Sequence, residues 1–405
     1  MTSMRPDLEL VRAERMVSGG AALCRDAGGE VILVEGALPG ETVAAAVDRS
    51  RRGVRRGHVV EVTDTVPERV APPCPAVARG CGGCRWQHAG TDAQVRYKAG
   101  IVADALVRIG GFAPGSPTVE ALAPLPALGA RTTLRLAIET GRGGFRRHRS
   151  HGVVAVDACP VAHPLLDDLI ASTDFGSARE ATLRCGARTG ERMVVAAPDA
   201  VDVVAPPDVV VVGDDEVDAG AAAWIHEEVA GRRWRISAAS FFQARPDGAE
   251  ALVDAVAAAS LDVRTGSAAL LDAYCGVGLF GGALAGVGRV VGVEANPAAA
   301  ADAAVNLVAV DASVVCADVA AWAPTEVDLV VADPARSGLG RDAAGVVAGT
   351  GATVVVLVSC DAAACARDAR LLADQGYTLE SVTLVDLFPH TPHVEVVSRL
   401  VAWQR

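Results

Sequence analysis

Apolar and polar positions change their rhythm twice along this chain. In the first stretch, short β-branched runs alternate with glycine turns. Val31–Val34, Thr42–Val47 and Val59–Val62 read as strands, and Gly28-Gly29 and Pro39-Gly40 mark turns. Closely spaced short strands predict a small β-barrel over residues 1–66, an architecture suited to gripping nucleic acid. Residues 67–230 follow with a mixed pattern: a break rich in Pro, Cys and Gly at Pro72–Cys84, a helix from about Thr91 to Ile109, and β runs at Thr132–Ile138 and Val153–Val156. From residue 231 to 405 the rhythm becomes strand, helix, strand. Leu270–Ala273, Val290–Val293, Leu329–Ala332, Val354–Val358 and Thr383–Leu387 are β runs, and Ala-rich helical stretches separate most of them. The expected class is α/β, with a C-terminal Rossmann-like domain, an N-terminal barrel and a mixed α+β centre.

Composition refines this picture. The chain has 405 residues, 51% of them hydrophobic, enough for two or three domains with real cores. The net charge of −12 argues against a uniformly basic nucleic-acid binder. Arginines nevertheless cluster at Arg49, Arg51, Arg52, Arg55 and Arg56, at Arg142, Arg146, Arg147 and Arg149, and at Arg232, Arg233 and Arg235. Lysine occurs only as Lys98, which reads as a consequence of base composition. The polar N-terminus and the lack of a long apolar run predict a cytoplasmic protein with no membrane partner, expected to be a monomer. In a reducing compartment, ten cysteines point to ligands, nucleophiles or core positions more than to disulfides.

One glycine turn carries a candidate cofactor site. Asp272-Ala-Tyr-Cys-Gly-Val-Gly278 follows a strand and opens a helix, and Glu294 ends the next strand, where a carboxylate can accept both hydroxyls of a ribose. Gly276-Val-Gly278-Leu-Phe-Gly281 also satisfies the dinucleotide fingerprint, so an NAD-linked enzyme remains open here. The acid four residues before the first glycine favours S-adenosylmethionine. Asp333 ends the next expected strand, in Asp328-Leu-Val-Val-Ala-Asp333-Pro-Ala-Arg-Ser-Gly338. Ligands of such folds bind at the carboxyl ends of strands, which sets Asp333 beside cofactor and substrate.

Val354–Val358 ends in Ser359-Cys360-Asp361, so Cys360 projects toward the same crevice. The run Phe388-Pro-His-Thr-Pro-His393-Val-Glu395 brings an acid to a second strand end. A thiol and a carboxylate at one methyl-donor crevice are what methylation of uracil carbon 5 requires. That carbon is a poor nucleophile until a thiolate adds to carbon 6. A base must then remove the carbon 5 proton, and Glu395 is its candidate, ahead of His390 and His393.

These residues resemble the 5-methyluridine RNA methyltransferases that carry a TRAM barrel and an iron–sulfur cluster. The resemblance rests on Ser240-Phe-Phe-Gln243, Leu271–Gly278, Asp333–Gly338, Val358–Asp361 and Asp386–Glu395, in the family's order. It implies a TRAM-like barrel, Cys360 as nucleophile and Glu395 as base. It also implies that Gln243, Tyr274, Glu294 and Asp333 contact S-adenosyl-L-methionine, and that the substrate is ribosomal or transfer RNA. Leu279 and Asp361–Ala364 depart from the family's usual residues.

Cys74, Cys81, Cys84 and the distant Cys159 could hold zinc or a [4Fe-4S] cluster. A triplet with one remote cysteine favours the cluster, and the resemblance points the same way. Two other readings stand beside this one: a non-catalytic RNA-binding protein on the same fold, and an NAD-linked iron–sulfur oxidoreductase. Neither gives Cys360 and Glu395 a joint task.

Overall fold

The computed structural model describes residues 7–48, 53–284 and 286–403. Arg49, Arg51 and Arg52 of the first arginine cluster lie outside these residues. Five strands close into a barrel: Asp7–Met16, Ala22–Arg25, Val31–Glu35, Arg55–Asp64 and Thr42–Val47, in that order around it. Alternation does the work. In Val31–Glu35, Ile32 and Val34 point into the barrel and are fully buried, while their neighbours face outward.

A six-stranded sheet follows, in the order Val209–Gly213, Arg192–Ala197, Glu180–Cys185, Thr133–Glu139, Arg142–Arg146 and Val153–Ala155. A two-stranded hairpin, Trp224–Val229 with Arg232–Ser237, leads out of it.

The third sheet has eight strands: Ala312–Cys316, Arg289–Glu294, Ala269–Ala273, Leu329–Ala332, Val354–Ser359, Val396–Ala402, Tyr377–Leu384 and Val119–Ala121, in spatial order. Val396–Ala402 runs antiparallel to both neighbours, and the other pairings are parallel. The chain winds outward in both directions from the adjoining pair Ala269–Ala273 and Leu329–Ala332, which makes their carboxyl ends a switch point. Val354–Ser359 is buried at every position, as a central parallel strand covered on both faces must be.

Three strands of this sheet are absent from the β runs read above: Ala312–Cys316, Val396–Ala402 and Val119–Ala121. The β run expected at Thr383–Leu387 is displaced. The strand there is Tyr377–Leu384, and Val385–Leu387 already belongs to the turn toward the crevice. The helix Thr91–Arg108 and the strand Val119–Ala121 come from the middle of the chain yet pack on the C-terminal sheet. Among the described residues no helix is long and apolar enough to cross a membrane.

Candidate active site

Strand register assembles the crevice. Ala273 pairs with both Val293 and Ala332, Ala332 pairs with Leu357, and Ser359 pairs with Val396. Glu294 follows Val293, Tyr274 follows Ala273, Asp333 follows Ala332 and Cys360 follows Ser359. Because Val396 is antiparallel, the residue at the same edge there is the one before it, Glu395. Cys360 and Glu395 therefore stand one rung past the last pair of neighbouring strands. Asp333 sits on the strand next to that of Cys360, tied to the edge by its backbone N–H, which donates to Ala273 O at 3.2 Å.

The acids and the thiol feel one another. Glu395 is 2% exposed, its Oε1 has no hydrogen-bond partner, and burial together with Asp333 pushes its carboxyl well above the usual range. Asp333 is half-buried but densely surrounded, and its carboxyl is pushed up to about 7. Burial, Glu395 and Asp333 push the Cys360 thiol up to about 11, with the exposed Arg336 pulling the other way.

The glycine turn is built on left-handed backbone. Tyr274 has φ of +61°, Gly276 +53° and Gly278 +90°. A Cβ at Gly276 would face open space, so the turn leaves room for a ligand. The Glu294 carboxylate accepts from Gly276 N at 3.0 Å and Asn296 N at 2.7 Å, which locks two corners of the crevice together. Asp272 is fully buried and accepts from Gly281 N at 2.7 Å, holding the helix Leu279–Ala283. Leu279 points into the core. Gln243 is buried, and its amide has no hydrogen-bond partner among the described residues. Asp361 caps the helix Ala362–Ala373 by accepting from Ala363 N and Ala364 N at 3.0 and 2.8 Å, so the loop behind Cys360 is well formed.

Several contributors escaped sequence reasoning. Lys98 is wholly buried; it pairs with Asp386 at 2.6 Å and donates to Phe388 O at 2.8 Å, pinning the segment that delivers Glu395. Gln94 grips His390 from both sides, accepting from its N–H at 2.6 Å and lying 3.2 Å from its Nδ1. His390 is thereby structural, and burial lowers its pKa. Burial and nearby cations, among them Arg336, Arg85 and Arg131, lower His393 to about 4, so it stays neutral. Asp368 accepts from Leu339 N at 2.7 Å and holds the loop after Asp333. A single lysine in a chain of arginines was the signal for Lys98. Asp368, with Arg367, stands where the family pattern resumes after Cys360, but nothing in the spacing marked Gln94.

Most of the described clustered arginines are spent on internal partners. Arg55 meets Glu9, Asp26 and Glu30, Arg146 meets Glu180, Arg149 meets Glu35, and Arg233 meets Glu191.

Cys74, Cys81, Cys84 and Cys159 line one cavity, together with Gln87 and Arg131. Gly82 is required there: a Cβ would lie 2.8 Å from His148 N and 2.9 Å from Arg146 O. Burial raises the thiols of Cys81, Cys84 and Cys159, the last to about 11. Among the described residues no three His, Cys, Asp or Glu side chains converge closely enough to hold a single metal ion. The other cysteines stand apart as expected: Cys24, Cys185, Cys275 and Cys365 are buried in the cores, and Cys316 is exposed.

A doubly wound sheet with a glycine turn, an acid at the end of the next strand and a further acid at the switch point has the form of a Rossmann-like methyltransferase. No protein-family model matches the chain. An RNA methyltransferase of Streptomyces avermitilis is 36% identical, over 94% of this chain and 95% of the relative. The 23S rRNA (uracil(1939)-C(5))-methyltransferase RlmD of Chromohalobacter salexigens is 33% identical, over 94% of this chain and 87% of the relative. The crystal structure of the tRNA (uracil-54, C5)-methyltransferase of Pyrococcus abyssi, in complex with S-adenosyl-L-homocysteine, superposes with a TM-score of 0.72 at 27% identity, over 96% of this chain and 99% of that one. The chain belongs to the RNA methyltransferase family that includes the uracil-C5 enzymes. The oxidoreductase reading of the glycine turn falls with that assignment.

Proposed function

We propose that the chain methylates carbon 5 of a uridine in structured ribosomal or transfer RNA, with Cys360 as nucleophile and Glu395 as base. The observation that carries this reading is the shared rung of Cys360 and Glu395 beside Asp333. The relatives support it from two sides, since one acts on 23S rRNA and another on tRNA, both at uracil carbon 5.

The crevice fits S-adenosylmethionine: open space before Gly276, and carboxylates at Glu294 and Asp333. Gln243, Tyr274, Glu294 and Asp333 would hold it. When bound, it supplies a methyl group on a sulfonium, which an electron-rich carbon can take. The protein's task is to make carbon 5 electron-rich and then to remove its proton. The Cys360 thiol gives its proton to a neighbouring carboxylate or to water, and the thiolate adds to carbon 6; the electron pair of the C5–C6 double bond moves toward O4 as an enolate. After carbon 5 is methylated, Glu395 takes its proton. The C–H electrons re-form the double bond as the C6–S bond breaks, and the thiolate is released. The raised affinity of Glu395 for a proton makes it a competent acceptor once it is ionised.

The barrel of residues 1–66 serves as a TRAM-like RNA grip, residues 67–230 carry the cysteines, and residues 231–405 do the chemistry. Four thiols around one cavity, without convergence on a single-ion point, suit a [4Fe-4S] cluster better than zinc. Cys74, Cys81, Cys84 and Cys159 would hold it, and methyl transfer takes no electron from it.

RNA containing 5-fluorouridine tests the chemistry. The base cannot remove fluorine, so wild-type protein with S-adenosylmethionine is expected to form a stable protein–RNA adduct, and Cys360→Ala none. Glu395→Gln is expected to build up adduct on ordinary uridine RNA and to turn over about 10²–10⁴-fold more slowly. RNA binding without any wild-type adduct would overturn the reading.

A further inference from the structure

Polar side chains at three positions of one segment, Asn296–Asn306, bind residues 235–240, and the same segment reaches the other side of the crevice through the Asn306 side chain and the Asn296 backbone N–H. The helix Pro297–Asn306 is otherwise alanine and valine apart from its first proline, and its two polar residues are Asp302 and Asn306. Asp302 is fully buried. Its carboxylate accepts from Arg235 Nε at 2.6 Å, Ser237 N at 2.7 Å, Ser237 Oγ at 2.8 Å and Ser240 Oγ at 2.7 Å. Asn306 accepts from Arg235 N at 2.8 Å and donates from Nδ2 to Arg235 O at 3.0 Å and to Val277 O at 2.9 Å. Asn296, which caps the helix, donates from Nδ2 to Ala239 O at 3.0 Å, while its N–H donates to Glu294 Oε1 at 2.7 Å.

Each of these residues therefore has a hand in the segment 235–240, which leads into Phe241 and Gln243. Asn306 also holds the carbonyl between Gly276 and Gly278, and Asn296 holds the Glu294 carboxylate. Phe241 is 67% exposed and Gln243 is buried, so this short loop turns from solvent into the protein within two residues. Hydrogen bonds to a buried carboxylate are short, strong and geometrically demanding. The Asn306 and Asn296 bonds thus tie the glycine turn and Glu294 to the loop through polar contacts of fixed geometry.

We propose that Asp302, with Asn306, is a positioning residue that couples occupancy of the methyl-donor crevice to the order of residues 237–243. Donor binding then pre-forms the substrate-side loop, and RNA meets a crevice whose loop is already set. The coupling is reciprocal, so RNA tightens donor binding by the same factor. The inference rests on the crevice reading above for the identity of the donor, and does not depend on which base is methylated.

Amide hydrogen exchange on the full-length protein, with and without S-adenosyl-L-homocysteine, tests it. In wild type, the ligand is expected to slow exchange at both 276–281 and 237–243. In Asp302→Asn it should slow exchange at 276–281 alone. Ser240→Ala removes one bond and leaves Asp302 paired with Arg235; it should weaken protection of the loop partially, which keeps the test alive if Asp302→Asn fails to fold. In binding measurements, substrate RNA should tighten wild-type affinity for S-adenosyl-L-homocysteine by about tenfold, a usual size for such coupling, and that of Asp302→Asn by less than about twofold. Loop protection that survives in Asp302→Asn, or that is missing in wild type while 276–281 is protected, overturns the coupling. Failure of the fluorouridine adduct with coupling intact would instead count against the assigned chemistry.

Discussion

Burial raises the thiol of Cys360 and, in a separate part of the molecule, those of Cys81, Cys84 and Cys159, but the two settings differ. Cys360 stands alone among carboxylates. Glu395 and Asp333 add to its burial, and Arg336 is the cation that opposes them. Cys74, Cys81, Cys84 and Cys159 stand among one another around a shared cavity, with no carboxylate lining it. A thiol whose neighbours are acids has a proton acceptor at hand and can add to a ring and leave again. Thiols whose neighbours are thiols become stable anions when a cation sits between them. Burial is common to both, so the neighbours decide the chemistry.

The sharpest break in the comparison is Cys360→Ala. It is expected to lower methylation by on the order of 10⁴-fold or more, the scale on which removal of a covalent nucleophile acts. Melting temperature and binding of S-adenosyl-L-homocysteine should stay near wild type, because the Cys360 side chain has no structural partner of its own. Methylation that persists at a tenth of the wild-type rate would take the nucleophile's role from this thiol.

Lys98→Met probes what holds the acid side of the crevice. It leaves Asp386 buried without its cation, and breaking such a pair costs about 3–5 kcal/mol. The substitution keeps the volume roughly constant, so packing contributes little. Chemical denaturation is the measurement, and a loss below about 1 kcal/mol would show that Phe388–Glu395 is held by other means.

On the other side of the comparison, Cys81→Ser should strip iron and the visible absorbance of aerobically or anaerobically purified protein. A group held at a hundred times its dissociation constant contributes about 2.7 kcal/mol, so a loss of that order is expected on melting. Normal iron content and normal methylation in this variant would dismiss the cluster as a support of the central domain.

The two halves of this comparison were not equally legible from sequence. Each crevice acid and Cys360 follow or precede an apolar β run, and a residue at the end of a parallel strand has its place set by register. That is why Glu294, Asp333 and Cys360 could be placed from their strands alone. Glu395 was harder, since it came only as the last residue of a motif, and the strand after it, Val396–Ala402, with its antiparallel direction, leaves no signal in the motif. The cysteines lie on loops. Their spacing suggested a metal, but their meeting depends on Gly82 passing close to His148 and on Gln87 accepting from Cys74 N at 3.1 Å. Such contacts are long-range in sequence and leave no periodic trace. The same holds for Lys98, which meets Asp386 from 288 residues away. Its rarity was visible; its burial was not. The arginine clusters showed charge but not partners, because charge on a strand says nothing of the acid that the fold will set against it.

The smallest expected effect concerns the cation beside Cys360. With its thiol pushed up to about 11, the resting protein holds Cys360 protonated at neutral pH, and the thiolate fraction rises tenfold for each pH unit below that value. Adduct formation on 5-fluorouridine RNA is therefore expected to quicken with rising pH across the neutral and mildly alkaline range. Arg336 lowers the thiol's pKa, so Arg336→Ala should raise it, slow adduct formation at any fixed pH, and move the whole profile to higher pH. Arg336 is exposed and screened by solvent and salt, which limits the change to about tenfold or less, one pKa unit's worth. The deficit should shrink as ionic strength rises, because salt already screens the wild-type charge. Arg336 also stands near His393, with Arg85 and Arg131, so a contact with RNA phosphate is the competing role. The two roles separate cleanly. A phosphate contact changes the RNA concentration needed for half-maximal adduct formation and leaves the pH profile where it was; activation of the thiol shifts the profile at saturating RNA.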